Sequence, residues 1–458
     1  MSADLVLRDV RVPAAALAEG GRGEPVRVDV AITGERIAAV GAGLPAGRAE
    51  LAGGGALLLP GLIDNHVHYR EPGASWKEGY VTGTAASLRG GATTIGEIQN
   101  NAPLVETAEQ WRAKVASLRG RAANRVLAYG CATRDNLATV RELAAAAPGI
   151  KVFLAADGAL EVSERSALRA IFAEVAAVDG LLVVHAELGP LVRAGVAQWG
   201  DRAADFHRAR SPEAERAAID LCNELSAETG ARVHYFHVSS ALAAEAIRAG
   251  KARGLPLSGA ACAHYLLFTD ADVAARGALL KCNPSIKTAA DRSALRAAVR
   301  DGTLDVIQSD HAPHPRAEKL ERPFRQAPSG IPGADLFLSL WLELVDAGVL
   351  TLDSLVERGC SGPARLHRLS DRGRIAPGLL ADLVLVEEHD WTVAEADFAS
   401  KAKQSPYVGR RLRRRTAKVW VGGRLAFDRA QAEDLVAREA AAPPPLEAPG
   451  ADAKGGCC

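Results

Sequence analysis

Residues 181–187 read LLVVHAE, residues 211–230 SPEAERAAIDLCNELSAETG and residues 232–240 RVHYFHVSS. The first and third are short apolar runs of strand length. The second has helix length, opens on Ser-Pro and closes on Gly, the order expected of a capped start and a glycine stop. Strand, helix and apolar strand in succession make a unit of a parallel sheet buried on both faces.

The pattern repeats in both directions. ATTIGEIQN (92–100), RVLAYGCAT (125–133), IKVFLAA (150–156), LPLSGAACAHYL (255–266), LDVIQSDHAPH (304–314) and the strand entering LIDNHVH bring the strands to eight, and SERSALRAIFAEVAAV (163–178) reads as another helix. Eight such units in about 280 residues predict an α/β fold with a TIM-like (β/α)8 barrel, placed over residues 58–370. No Gly-x-Gly-x-x-Gly follows an early strand, as a dinucleotide-binding open sheet would favour. Outside the barrel the texture is of short alternating strands: DLVLRDVRVP, VRVDVAITGERIAAVG and AELAGGGALLLPG near the start, LLADLVLVEEHDW and TAKVWVGGRLAF near the end. Residues 1–57 and 371–435 are expected to form one small composite β-sandwich domain, because chain ends commonly meet. The Ala-, Pro- and Gly-rich residues 436–458 are expected to be a flexible tail.

Lys plus Arg and Asp plus Glu are each 55, so no net field steers the molecule toward nucleic acid or anionic lipid. The run RRLRRR (410–415) is expected to be a solvated link or an intersubunit surface. No stretch reaches the roughly 18 apolar residues of a membrane span, and the first residues lack the pattern of a signal peptide. Seven cysteines without metal-finger spacing argue against an exported disulfide framework. The expected location is the cytoplasm.

His66 and His68 are two apart in a strand, which puts both imidazoles on one side. By itself the pair fits hydrogen bonding as well as metal binding. His185, His237 and Asp310 lie at or just past the ends of other strands, and in a barrel those ends surround one mouth, where active sites form. Lys151 opens an apolar strand. It reads either as a strand-edge lysine or as an N-carboxylated one, a two-oxygen anion able to bridge cations. Arg70, two residues beyond His68 and expected on the same strand face, offers a fork for a carboxylate, or is an ordinary surface arginine. His234, three residues before His237, is expected on the opposite strand face, packed or hydrogen bonded outside the mouth. His264 is expected to support its loop, and His311 to orient its own.

PGLIDNHVHYREPG, GGATTIGEIQNNAP, IKVFLAADG, VVHAE, FHVSS, KCNPSIKT, DVIQSDHAPH and APSGIPG occur in the order found in cyclic amidohydrolases, and together the chain resembles the dihydroorotase family over almost its whole length. The resemblance implies a metal-dependent barrel interconverting dihydroorotate and N-carbamoyl-aspartate in pyrimidine biosynthesis. It implies one zinc on His66, His68 and Asp310, a second on His185 and His237, and carboxylated Lys151 bridging them with a hydroxide. Asp310 would also be the catalytic proton carrier. Arg70, Asn100 and His314 would bind the substrate carboxylate and Asn283 the ring. A homodimer and association with aspartate carbamoyltransferase are the partners implied; a non-catalytic scaffold for that transferase is an alternative. Departures are IQNN after the second strand, CAHYL around Cys262 and His264, and GIPGAD ending in Ala334 and Asp335. Allantoinases share the texture around Glu71, Trp76 and Glu78, and hydantoinases the lysine strand, so both remain alternatives.

Overall fold

The computed structural model describes residues 2–18, 20–98 and 101–431. The first strands are β1 (Leu5–Val12), β2 (Val26–Thr33), β3 (Arg36–Gly41), β4 (Ala49–Ala52) and β5 (Leu57–Pro60). Next come β6 (Leu62–Val67), β7 (Ala92–Glu97), β8 (Arg125–Ala128), β9 (Gly130–Cys131) and β10 (Ile150–Phe153). The series ends with β11 (Leu181–His185), β12 (Arg232–Tyr235), β13 (Leu257–Cys262), β14 (Val306–Gln308), β15 (Leu383–Thr392), β16 (Arg411–Val421) and β17 (Arg424–Asp428).

Strands from both ends of the chain share one eight-stranded sheet in the order β17-β16-β15-β5-β1-β2-β3, with β4 on β1. The hairpin of β16 and β17 turns at Gly422 and Gly423, whose φ values of 55° and 72° need residues without a Cβ. The run Arg410–Arg415 is not a solvated link, because most of it lies in β16. Arg414 pairs with Asp346, Arg410 with Glu343 and Arg415 with Glu387, and Leu412 between them is buried. Period-2 alternation in a strand explains this better than a charge run.

The strands between form two parallel sheets, β6-β7-β8 and β9 through β14 in sequence order. Only Tyr129 separates β8 from β9, and its N–H donates to Glu97 O at 3.2 Å. At the other edge a parallel bridge joins Val67 to His311, and the His68 N–H donates to His311 O at 2.8 Å. Helices connect the strands as their sequences dictate. Arg165–Ala176 buries Leu168, Ile171, Phe172 and Val175, an i, i+3, i+4, i+7 stripe. Pro212–Thr229 starts at Ser211, which accepts from the Ala214 N–H, and stops at Gly230 with φ 74°, as its sequence predicts.

Two strand readings change. The run 125–133 is broken at Tyr129, and the run 255–266 leaves the sheet at Cys262 to become the helix Ala263–Leu267. A continuous apolar run does not distinguish a strand from a short buried helix.

Candidate active site

One cavity of about 590 Å³ opens where β6, β10, β11, β12 and β14 end, and it is lined by His66, His68, Lys151, His185, His237 and Asp310. His66 and His68 bring their Nε2 atoms to 3.1 Å from each other, and Asp310 Oδ1 lies 3.3 Å and 3.7 Å from them. Ligand atoms of these three residues all fall within 4.8 Å of one another. Across the cavity, His185 Nδ1 is 3.2 Å from His237 Nε2. Asp310 and His237 lie two residues past their strands with φ of 50° and 37°, and Arg70 has φ 62°. Left-handed backbone is costly for such residues, and it concentrates where side chains are aimed at a common point.

The donor set suits metal. Burial holds His66 and His237 well below the ordinary imidazole value, and lowers His185 despite its carboxylate partner. Neutral imidazole is the ligating form. Burial pushes Asp310 up to about 6, opposed by His264, Lys151, His185 and Arg70. Lys151 is fully buried, and its Nζ has no hydrogen-bond partner among the described residues. It sits 4.5 Å from the ring centres of both Phe153 and Phe236, and burial brings it down to about 7. A buried amine without an acceptor is a costly arrangement. The strand-edge, solvent-facing reading of Lys151 is therefore excluded.

Arg70, Asn283 and His314 line the same cavity. Arg70 is placed there by the turn after β6, not by strand alternation, since that strand ends at Val67. Its Nη2 lies 3.3 Å from His314 Nε2, while Arg70 Nε and Asn283 Oδ1 are buried and unpartnered among the described residues. Asn100 lies outside the described residues, as do Cys457 and Cys458. Its neighbour Asn101 donates to Glu71 O at 2.9 Å and Glu97 Oε1 at 3.2 Å.

Sequence reasoning missed a supporting pair. Glu187 Oε2 is 2.8 Å from His185 Nε2, which turns Nδ1 of that ring into the cavity. Arg210 closes on the same carboxylate through Nε at 3.1 Å and 3.0 Å, and its charge holds Glu187 below the ordinary carboxylate range against the opposing effect of burial. The HAE spacing was the available signal for Glu187; Arg210 had none. Glu187→Ala leaves the buried Arg210 unpaired, so a loss of about 3–5 kcal/mol is expected, read by urea unfolding of the metal-free protein. A loss under about 1 kcal/mol, the range of an exposed pair, would contradict this role.

The strand face expected for His234 is corrected, while its hydrogen bonding away from the cavity is as expected. Its ring is in the interior beneath the mouth, 3.0 Å from Asn65 Nδ2 and 2.7 Å from Ser258 Oγ. Tyr235 points the other way, toward Asn223 of the helix outside, and Phe236 packs on His66 at 4.2 Å. The alternation thus puts 234 and 236 inward, and the left-handed turn at His237 brings that ring inward as well. His311 ties its loop, accepting from the Gly333 and Ala334 N–H groups and facing Glu78. His264 is buried with Nε2 unpartnered among the described residues.

Residues 57–426 match the model of the amidohydrolase family. The chain is 38% identical over 385 residues to a dihydroorotase of Anaeromyxobacter dehalogenans, covering 82% of this chain and 87% of that protein. It is 31% identical over 411 residues to a dihydroorotase of Lactobacillus johnsonii, covering 89% and 96%. Among solved structures it is similar to the L-hydantoinase (dihydropyrimidinase) of Arthrobacter aurescens, with a TM-score of 0.88, 25% identity and coverage of 93% and 96%.

Proposed function

The chain belongs to the amidohydrolase family, and from that premise we propose that it is a dihydroorotase, hydrolysing (S)-dihydroorotate reversibly to N-carbamoyl-L-aspartate in pyrimidine biosynthesis. The observation that carries this reading is the sharing of one cavity by metal-type donors and the Arg70–His314 pair, in a chain 38% identical to a dihydroorotase. The two parallel sheets are then arcs of one (β/α)8 barrel over residues 58–370. The terminal sheet would then be the core of the composite β-sandwich domain expected over 1–57 and 371–435, of which residues 432–435 lie outside the described residues, and the boundary after residue 57 falls inside β5.

Two zinc ions are proposed. His66, His68 and Asp310 would hold one, His185 and His237 the other, and Lys151 would bridge them as its carbamate. The neutral Lys151 amine would add to carbon dioxide, its lone pair forming the N–C bond as one C=O π bond opens onto oxygen and the nitrogen's proton passes to water, and the resulting two-oxygen anion would balance charge where a bare ammonium would repel cations. When bound, such ions lower the pKa of water toward neutrality and polarise a carbonyl.

The protein's own groups do the rest. Arg70 and His314, with Asn100, hold the substrate carboxylate, Asn283 holds the ring, and the amide carbonyl is thereby turned toward the histidines. Asp310 Oδ1 faces His66 and His68, which leaves Oδ2 to take the proton of the attacking water. As the ring C–N bond breaks, Asp310 returns that proton to the leaving nitrogen. The reverse cyclisation uses the same groups.

A panel of rings tests this. Purified zinc-replete protein is expected to open dihydroorotate and to close carbamoyl-aspartate. Arg70→Met should cost on the order of 10- to 100-fold in kcat/KM, the range of a lost charge-assisted hydrogen bond. Opening of allantoin or an uncharged hydantoin without dihydroorotate would reject the assignment in favour of those relatives. Inactivity with less than one bound ion per chain would favour the scaffold alternative, against which stands the presence of all six donors. A homodimer, association with aspartate carbamoyltransferase and a cytoplasmic location belong to the same proposal. No helix among the described residues is long and apolar enough to cross a membrane.

A further inference from the structure

Resting on the carboxylate reading above, we propose that Lys77 is a positioning residue that fixes the tautomer of His314, so that Arg70 and His314 present two N–H donors to the substrate carboxylate. Lys77 Nζ lies 3.2 Å from His314 Nδ1 and 2.7 Å from Glu318 Oε2. The other oxygen of Glu318 accepts from Trp76 Nε1 at 3.2 Å, so the ammonium is held from behind. His314 Nε2 faces Ser329 O at 3.1 Å and Arg70 Nη2 at 3.3 Å, and all three of these residues line the cavity.

A lysine ammonium has donors and no acceptor. Toward Lys77, therefore, His314 Nδ1 must offer its lone pair. Burial, reinforced by Arg70 and Lys77, holds this imidazole down to about 2, so the ring is neutral and carries one proton. That proton is then on Nε2, where it donates to Ser329 O and stands beside the Arg70 fork. A carboxylate oxygen entering here shares the Nε2 proton with Ser329 O and takes the Arg70 donors, whereas the opposite tautomer would offer it only a lone pair at Nε2.

The opposite tautomer would undo this. With the proton on Nδ1, directed toward Glu318 Oε2 at 3.8 Å, Nε2 would present a lone pair. Arg70 Nη2 would donate to that lone pair, and the same lone pair would repel a carboxylate oxygen. Lys77 thus decides whether the site is complementary to an anionic ring or to a neutral one. Gly330 keeps the acceptor in place: its φ is 150°, and a Cβ there would meet Ala312 O at 2.3 Å and His314 Cδ2 at 3.1 Å.

The test has two arms. In full-length protein labelled with 15N-histidine, long-range proton–nitrogen correlation reads the tautomer, with His314 identified by the signal missing from His314→Gln. The wild type is expected to carry the proton on Nε2, Lys77→Met to shift toward Nδ1, and Lys77→Arg to keep Nε2. In the second arm, Lys77→Met should raise KM for dihydroorotate about 10-fold or more, as for loss of a charge-assisted hydrogen bond, with kcat changed by less than about 3-fold. Lys77→Arg should restore KM. A wild-type proton on Nδ1, an unchanged tautomer in Lys77→Met, or an unchanged KM would each overturn the proposal. The spectroscopic arm needs no substrate, so failure of the dihydroorotate assignment in the ring panel registers separately from failure at Lys77.

Discussion

Lys151→Ala is expected to lower turnover by on the order of 10³-fold or more, the scale of losing several kcal/mol of metal assistance, and to lower the bound metal below two ions per chain. The reason is local. Lys151 lies fully buried among Phe153, Phe236 and the histidines, and its amine has no acceptor among the described residues. No ion pair among the described residues holds Lys151, so the surrounding parallel sheets should stay folded. A short carboxylic acid fitting the vacated space should restore part of the activity, and ammonium should restore none. A structural lysine predicts the reverse: unchanged metal, lower thermal stability and no rescue. Metal stoichiometry, thermal unfolding and activity measured on one preparation separate the two, and near-normal turnover with two retained metals would contradict the carbamate.

Asp310→Asn is expected to reduce kcat by about 10²- to 10⁴-fold, the range of a positioned proton carrier, with a smaller effect on KM. The side chains are nearly isosteric, so the left-handed backbone at this position keeps a residue type that tolerates it. The amide can still face His66 and His68 through its carbonyl oxygen, but it cannot take and return a proton. Steady-state kinetics at saturating zinc is the measurement, with metal content determined in parallel. A kcat within tenfold of wild type at full metal content would remove Asp310 from the proton-transfer role.

What could be read from the sequence, and what could not, divides along physical lines. The βα repeat was legible because apolar runs of strand length and capped amphipathic helices follow from local chemistry, as in 181–187 and 211–230. His66 and His185 were legible because they sit within strands, where direction follows from alternation. The inward aim of His237, Asp310 and Arg70 was not, since each depends on a left-handed turn that no neighbouring glycine announces. The same turn made the alternation argument about His234 fail, although that residue does lie away from the cavity. The switch from strand to helix at Ala263 was hidden by an apolar run that fits both. Long-range partners such as Arg210 for Glu187, and Lys77 for His314, leave no mark in local sequence, because the pairing is made by the fold.

The most direct test of a binuclear centre built on Lys151 is an anomalous-scattering map at the zinc edge, from crystals grown with zinc and bicarbonate. Two peaks are expected, one beside His66, His68 and Asp310 and one beside His185 and His237, joined by additional density continuous with Lys151 Nζ. A single peak with a bare Lys151 amine would contradict it.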